Sequence, residues 1–186
     1  MVLNKHSSFY MRSGWGTKII QAVNEDDMIF TPSNEQKAID SIGLGRIMIK
    51  ALRYWSVAMG LTEENKTQVG IQQKRTDIYD VINTFDKYFQ NVCSLLMMHR
   101  RLALNRENAT AWYWLFNEWE GNSIDKEEFS EGLHTYLAVN GMNIKKDAIG
   151  KEFNCLKNTY ISDKKFDLKN IMDEDTLPFL APIKIL

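Results

Sequence analysis

The stretch from Asn34 to Leu61 constrains the fold most, because it holds two helical patterns separated by the turn Gly43-Leu44-Gly45. After the turn, apolar side chains recur at i, i+4, i+7 and i+11, which is one face of an α-helix, at Met48, Leu52, Trp55 and Met59. A second face carries Arg46, Lys50 and Arg53. A helix-turn-helix divides its second helix in this way, with one face packed inward and one facing DNA. An ordinary helical hairpin with a solvated basic edge accounts for the same pattern.

The segments on either side of this stretch extend the pattern. Ser33 and Gln36 fit a capping box at the start of the first helix. The polar run from Thr62 to Thr76, with Gly70 at its middle, predicts a short β-hairpin and therefore a winged helix-turn-helix. The cations of this wing would lie near DNA phosphates, at Lys66, Lys74 and Arg75.

The N-terminal segment from His6 to Trp15 mixes a histidine, an arginine, a glycine and three aromatic residues. His6 and Arg12 are candidates for an anion-binding or catalytic pair. Alternatively, the segment docks on the core through Phe9 and Trp15, which is the favoured interpretation. Arg12 is also included among the candidate DNA contacts.

The middle of the chain reads as the helical core. Helical periodicity from Asp77 to Leu104 predicts a long helix or a broken pair, with an apolar face that includes Val81, Phe85, Val92, Leu96 and His99. His99 on this face is expected to be a hydrogen-bonded core histidine. The next segment, Asn108 to Trp119, is apolar almost all round, so we expect a central helix whose tryptophans pack in the core.

The last third repeats the helix–turn–helix order. Asp125 and Glu128 predict a cap, Asn140-Gly141 a turn, and Asn143 a cap for the final helix. These residues define a possible second winged-helix-like unit. The predicted fold is mainly α, divided into a winged helix-turn-helix-like unit (1–76), a central helical core (77–122), a second helix-turn-helix-like unit (123–162) and an irregular C-terminal tail (163–186).

The charge distribution favours an anionic partner on one side of the molecule. The net charge is −1, but residues 1–106 hold 14 Lys and Arg against 10 Asp and Glu, whereas residues 107–186 hold 9 against 14. No apolar run approaches the roughly 20 residues of a membrane span, and the N-terminus lacks a signal-peptide core. Cys93 and Cys155 are expected to be buried free thiols. We therefore expect a cytoplasmic protein without membrane contact.

Four motifs in order resemble the family catalogued as domain of unknown function 4007. They are HxSFxxRxGW (His6–Trp15), LGRIMIKALRYW (Leu44–Trp55), DKYFQNVCSLLMMH (Asp86–His99) and ATAWYWLFNEW (Ala109–Trp119). The resemblance runs from about His6 to Pro182. It implies a gene setting in bacterial DNA phosphorothioation and anti-phage defence, beside sulfur-transfer enzymes. One relative, the B component of the single-strand phosphorothioation system, is described as a DNA nickase.

The sequence departs from this family at three places. The family usually has a proline after the position of Asp86 and acidic residues at the positions of Gln90 and Asn91. Relatives also usually continue well beyond the position of Leu186. If the missing acids hold a metal in relatives, that site is weakened in this chain.

Three function hypotheses follow. The favoured one is a non-catalytic DNA-binding component of the defence system, which needs no cofactor and contacts DNA through Arg46, Lys50, Arg53, Lys66, Lys74, Arg75 and Arg12. The second is a DNA nickase, which needs a divalent metal held by carboxylates and is sensitive to changes at His6. The acidic clusters at 24–27 and 173–175 lie in predicted surface turns, and no zinc-ligand set or phosphate loop is present in the sequence. The third is a protein-interaction adaptor without DNA binding, whose acidic C-terminal half binds a partner enzyme.

Overall fold

Helices dominate the computed structural model, which describes residues 1–161 and 177–185. The helices are α1 (Trp15–Glu25), α2 (Glu35–Ile42), α3 (Arg46–Ala58), α4 (Asp77–Phe85), α5 (Val92–Leu104), α6 (Thr110–Asn117), α7 (Lys126–Val139) and α8 (Lys146–Tyr160). Two antiparallel strands, β1 (Thr62–Thr67) and β2 (Gly70–Arg75), form a small sheet. Short 3-10 turns lie at Pro32–Asn34 and Ala181–Ile183. The prediction of a mainly α fold is confirmed.

The pair α2–α3 forms at the predicted place. Gly43 ends α2 in the left-handed conformation, at φ 70°, and its N–H donates to the carbonyl of Ile39 at 3.0 Å. Two residues later Gly45 is the N-cap of α3. The predicted Ser33–Gln36 capping box is wrong, because Pro32 starts a 3-10 turn that contains Ser33 and delays α2 until Glu35.

The predicted hairpin follows α3 directly and is fixed to the loop before α2. Its register pairs Glu64 with Gln73. The N–H of Gln73 donates to the carbonyl of Asp27 at 2.8 Å. Thr31 accepts from the N–H of Ile71 at 2.9 Å through its hydroxyl oxygen and donates to the carbonyl of the same residue at 3.1 Å. The strands are therefore held on both sides rather than projecting freely.

The segment from Asp77 to Leu104 forms the broken pair, α4 and α5. The Asp86 carboxylate accepts from the N–H groups of Gln90 and Asn91, at 2.9 and 3.0 Å, and so fixes the loop between the helices. Four residues expected on the apolar face are exposed instead: Val81, Phe85, Val92 and Leu96. This part of the prediction is wrong, because α4 turns its Tyr79–Ile82 side to the core and leaves the side with Phe85 in solvent.

One continuous apolar core joins the N-terminal and C-terminal elements. Trp15, Trp55 and Trp112 are fully buried, and the rings of Trp55 and Trp112 meet edge to face with centroids 5.4 Å apart. Trp114 is also buried, whereas Trp119 is only partly covered. The prediction that α6 lies at the centre of the fold is confirmed.

The C-terminal elements close the molecule. Asp125 and Glu128 form the predicted capping box of α7. The predicted cap at Asn143 is wrong, since extended backbone continues to Lys145, which precedes the first turn of α8. Residues 177–185 pack between the N-terminal segment and α8: the N–H of Phe179 donates to Met11, and that of Leu180 to Thr159. Residues 163–176 of the predicted tail and Leu186 lie outside the described residues, and the division into four units stays a prediction.

The two cysteines differ in exposure. Both thiols are free, as expected, but only Cys155 is buried. The expectation is wrong for Cys93, which lies near the exposed start of α5. No helix in the described residues is long and apolar enough to cross a membrane.

Candidate nucleic-acid interface

Helix α3 shows the predicted division into two faces. Leu52, Trp55 and Met59 are fully buried, while Arg46 and Lys50 are exposed and Arg53 is half-buried. Most of the predicted apolar face therefore packs into the core, and the basic face is accessible.

Arg53 on this face is already engaged by the hairpin. Its Nε donates to Oε1 of Glu64 at 2.5 Å and its Nη2 donates to Oε2 at 2.7 Å. Burial alone would raise the pKa of Glu64, but the hydrogen bonds and charge of Arg53 outweigh it and hold that pKa below its ordinary value. The predicted DNA contact is thus part of an intramolecular ion pair.

A polar chain continues from this pair back to α3. Gln73 approaches Glu64 with its amide nitrogen at 3.4 Å and accepts from the hydroxyl of Thr62 at 2.8 Å. The hydroxyls of Thr62 and Ser56 are 2.7 Å apart. Ser56, Thr62 and Gln73 are buried, so the chain fixes the hairpin on α3. Our sequence reasoning did not single out Ser56 or Gln73.

The other two cations of α3 differ from each other. Nε of Arg46 lies 2.7 Å from Oε1 of Glu35, and the Arg46 side chain is 67% exposed. Lys50 is exposed and forms no ion pair within residues 1–161 and 177–185. Of the three predicted contacts on this helix, Lys50 is therefore the one whose charge is uncompensated.

The cations of the hairpin are exposed but do not all share one surface. Lys66 lies two residues from Glu64 and therefore on the same face of β1. Lys74 lies opposite Glu63 on the other face. The guanidinium of Arg75 stacks 5.2 Å from the ring centroid of Tyr79.

The second strand and a carboxylate-rich turn enclose an open groove. Lys74 and Arg75 line this groove, of about 620 Å³, together with the turn at residues 24–27. Because Glu25, Asp26 and Asp27 form its opposite wall, these two cations face acidic groups as well as solvent. By register, Lys66 and Arg75 share the sheet face of Glu64, whereas Lys74 lies on the other face. The guanidinium of Arg75 donates to the carbonyl of Val23 at 3.3 Å, so Lys66 is the hairpin cation that extends the face of Glu64 and Arg53.

Arg12 lies apart from this surface. Its guanidinium is 5.4–5.5 Å from the ring centroids of Phe9, Tyr10 and Trp15. The indole N–H of Trp55 donates to the carbonyl of Phe9 at 3.0 Å, which places the segment on the buried side of α3. The docked N-terminal segment was the favoured interpretation, and it is confirmed.

His6 pairs with Glu152 of α8, and the predicted pair of His6 with Arg12 is wrong. Nε2 of His6 lies 3.1 Å from Oε2 of Glu152, and both side chains are buried. The N–H of Ser8 donates to Nδ1 of His6 at 3.1 Å, so Nδ1 is occupied as an acceptor and Nε2 is the nitrogen that faces the carboxylate. Glu152 also accepts from the N–H of Asn4. Desolvation explains the choice of partner, since a buried imidazole needs a hydrogen-bonding partner that another cation cannot supply.

Three aromatic rings enclose this buried pair. The centroids of Tyr54, Trp55 and Trp112 lie 5.9–6.2 Å from that of His6. Burial, and then the charge of Glu152, raise the pKa of Tyr54 and that of the Cys155 thiol well above their ordinary values. A protonated, buried thiol is a poor nucleophile. The cluster is therefore structural in character.

Glu152 is a residue that sequence reasoning missed. It lies three residues after Ile149 and four before Leu156, on the apolar stripe of α8. A carboxylate on such a stripe needs a buried partner. The position of Glu152 on the stripe could therefore have predicted a buried polar pair.

His99 is a hydrogen-bonded core histidine, as predicted. Its Nδ1 lies 2.9 Å from the hydroxyl of Tyr160, and Phe116 packs edge-on at 4.7 Å between centroids. Burial lowers the pKa of His99. Within the described part of the chain, no group of three or more His, Cys, Asp or Glu residues could hold a metal ion.

The chain matches one protein family and is similar in fold to solved structures. The family model described as "Protein of unknown function (DUF4007)" matches residues 3–185. No curated protein matches the chain. The solved structure described as magnesium ion-bound SspB is similar, with a TM-score of 0.78, 21% identity, and coverage of 95% of this chain and 54% of that chain. A second SspB crystal structure gives a TM-score of 0.73, 20% identity and the same coverage. The chain thus spans about half the length of these structures, and at this identity the similarity establishes the fold.

Proposed function

The chain belongs to the DUF4007 family, and from this premise we propose that it is a DNA-binding component of a bacterial DNA phosphorothioation and anti-phage defence system. Its binding surface is a winged helix-turn-helix, formed by α2, α3 and the hairpin. The observation that carries the proposal is the exposed basic face of α3 beside a hairpin that the polar chain holds in place.

In this proposal α3 is the recognition helix and the hairpin is the wing. A helix with one buried face and one accessible basic face fits the major groove, while the wing reaches the flanking backbone. Lys50 offers an uncompensated charge, and Lys66 extends the same face. The exposed Arg46–Glu35 pair contributes little to stability, so a phosphate can replace the carboxylate of Glu35.

The expected binding is modest and depends on salt. Three phosphate contacts, from Arg46, Lys50 and Lys66, predict a slope of about −3 in log K against log salt concentration for duplex DNA. Since Glu64 neutralises Arg53, we do not count this residue among the phosphate contacts. A small number of contacts agrees with the nearly neutral overall charge.

Fluorescence anisotropy with a labelled duplex, over a series of salt concentrations, tests the proposal. The variants are Lys50→Ala and the triple change of Arg46, Lys50 and Arg53 to Ala, with Lys151→Ala as control because Lys151 is an exposed cation on α8. We expect Lys50→Ala to reduce the salt slope by about 1. The triple variant should lose binding while its circular dichroism stays that of wild type. Wild-type protein that does not bind at low salt would contradict the proposal.

Metal-dependent nicking receives less support from the described residues. One similar solved structure is described as containing a magnesium ion, which is a statement about that protein. In this chain, the described residues offer no cluster of carboxylates and histidines for a metal. The acidic run 173–175 lies outside them. We therefore assign no metal-dependent step to any residue.

An adaptor function is the second candidate, and a specific observation favours it. Val81, Phe85, Val92 and Leu96 expose apolar side chains on α4 and α5, and Phe85 is 82% exposed. A contiguous patch of exposed apolar side chains is typical of a protein-binding surface, and these four residues lie on two consecutive helices. A partner protein that binds wild type but not Phe85→Ser, in the absence of DNA, would support this function.

A further inference from the structure

Arg106 differs from the paired arginines of α3 because its partners are neutral. Its Nε donates to the hydroxyl of Tyr136 at 2.9 Å, and its Nη2 donates to Oδ1 of Asn140 at 2.6 Å. Its guanidinium also lies 5.9 and 5.8 Å from the ring centroids of Tyr113 and Tyr136. Two hydrogen bonds and two ring contacts thus orient an arginine that is exposed to solvent.

The positive charge of Arg106 is oriented but not neutralised. Among the described residues no carboxylate oxygen lies within ion-pair distance of it. The neighbouring Glu107 pairs instead with the N-terminal ammonium group, whose nitrogen lies 2.7 Å from Oε2. An arginine has five N–H donors. The two bonds use Nε and Nη2, so both N–H groups of Nη1 are available to a ligand. Because the Tyr136 hydroxyl accepts from Arg106, its own proton is also available to an acceptor.

The residues near this arginine in sequence are hydrogen-bonded to α3, the helix that carries the proposed DNA surface. The side-chain amide of Asn105 donates to the carbonyl of Ala58 at 3.0 Å, and the hydroxyl of Tyr54 donates to the carbonyl of Asn108 at 2.9 Å. These bonds fix the residues on both sides of Arg106 to the C-terminal half of α3. The partners Tyr136 and Asn140 come from the end of α7. The site therefore joins the second helix pair to the recognition helix.

We propose that Arg106, oriented by Tyr136 and Asn140, binds a backbone phosphate of a nucleic acid that is bound to α3. A planar guanidinium with a free edge matches the oxygens of a phosphodiester. The identity of the ligand as nucleic acid rests on the proposed function, whereas the presence of an anion site rests on Arg106 and its partners alone. The alternative is an arginine that only ties α7 to the loop before α6.

Duplex binding tests the contact with nucleic acid. Arg106→Ala should weaken binding roughly tenfold, the value of one charge-assisted hydrogen-bonded contact, and should reduce the salt slope by about 1. Arg106→Lys keeps the charge but loses the planar fork, and should recover only part of the affinity. Arg100→Ala is the matched control, since Arg100 is an exposed arginine on α5. If Arg106→Ala behaves like Arg100→Ala, the proposal is overturned.

Titration with inorganic phosphate separates this inference from the proposed function. In ¹H–¹⁵N spectra we expect saturable shifts of the Arg106 Nε–H and the Asn140 side-chain amide, lost in Arg106→Ala and kept in the α3 triple variant. If wild type fails to bind DNA but these shifts appear, the proposed function fails and the phosphate site stands. If phosphate shifts neither signal, or shifts all exposed arginines alike without saturation, the site is overturned, whatever α3 binds.

Discussion

Two pairs, each of a glutamate with a basic side chain, have opposite roles in this molecule. His6 and Glu152 meet in the core, enclosed by three aromatic rings, and join the N-terminal segment to α8. Arg53 and Glu64 meet near the surface, only 11 residues apart in sequence, and join α3 to the hairpin. The first pair is closed to ligands, whereas the second lies on the face where we propose that DNA binds.

The difference between the pairs is a difference in solvation. Removing one partner of a buried pair leaves the other desolvated and unpaired, which destabilises a protein by about 1–3 kcal/mol for each unpaired donor. Water screens an exposed pair and solvates its partners when they separate, so such pairs contribute about 0.2–1 kcal/mol. The buried pair therefore contributes to the stability of the core. The partly exposed pair, whose side chains are 30% and 26% accessible, determines which charges the surface offers.

The largest effect is expected at Glu152. Glu152→Ala leaves His6 and the N–H of Asn4 without their partner in the core, so the free energy of unfolding should fall by about 1–3 kcal/mol for each of these two groups. Urea denaturation followed by circular dichroism measures the change, with Glu131→Ala as control because Glu131 is exposed on α7. Similar stability of the two variants would contradict the burial of this pair.

A smaller effect, confined to acidic pH, is expected at His99. Burial lowers its pKa below the ordinary value of 6.5, so the unfolded chain takes up a proton before the folded protein does. Stability should therefore be unaffected by this residue above pH 6.5 and should decline as the pH falls through that value toward the folded pKa. His99→Gln does not titrate, and His6 is present in both proteins. The unfolding free energies of wild type and His99→Gln should therefore diverge on acidification, and parallel curves would contradict the prediction.

The smallest effect on stability is expected for Arg53 and Glu64. A double-mutant cycle with Arg53→Ala and Glu64→Ala should give a coupling of about 0.2–1 kcal/mol at neutral pH. Because the pKa of Glu64 is lowered, the coupling is full above the ordinary glutamate value of 4.5 and is lost as the pH falls through the folded pKa. A coupling as large as the loss of unfolding free energy in Glu152→Ala would show that the two pairs do not differ in their contribution to stability.

The pair of Arg53 and Glu64 also predicts a change in DNA affinity. Glu64→Gln removes a negative charge beside Arg53 and Lys66, so duplex binding should strengthen several-fold at low salt, with a steeper salt dependence. Anisotropy measures both, and Glu63→Gln on the other face of β1 is the matched control. Equal gains in the two variants would indicate a general charge effect rather than release of Arg53.

Local signals in the sequence were sufficient for the helix–turn–helix–hairpin and for the central helix. Gly43, the period of Leu52 and Trp55, and the polar run around Gly70 are short-range features, and each determines structure within a few residues. The break between α4 and α5 was left open, because the backbone bonds of Asp86 that fix it depend on loop geometry. Exposure was harder to predict: Phe85 continues the helical period, and only tertiary packing decides that its side of α4 stays uncovered.

The candidate surface was predictable in its location but not in its electrostatics. Arg46, Lys50 and Arg53 could be placed on one helical face from their spacing alone. Their pairing with carboxylates depends on where Glu35 and Glu64 come to lie, which requires the turn and the hairpin register. Arg106 could not be identified from the sequence, because its orienting partners lie 30 and 34 residues away, at the end of α7.

The bond between Asn4 and Glu152 also sets the order of events during synthesis. These residues are 148 positions apart, so Asn4 and its neighbours wait for the synthesis of α8 before their final contacts form. At a synthesis rate of about 5–20 residues per second, this delay is roughly 7–30 s. During that interval Glu152, the partner of His6, has not yet been synthesised. A chaperone that binds the N-terminal segment would therefore act mainly before α8 is complete.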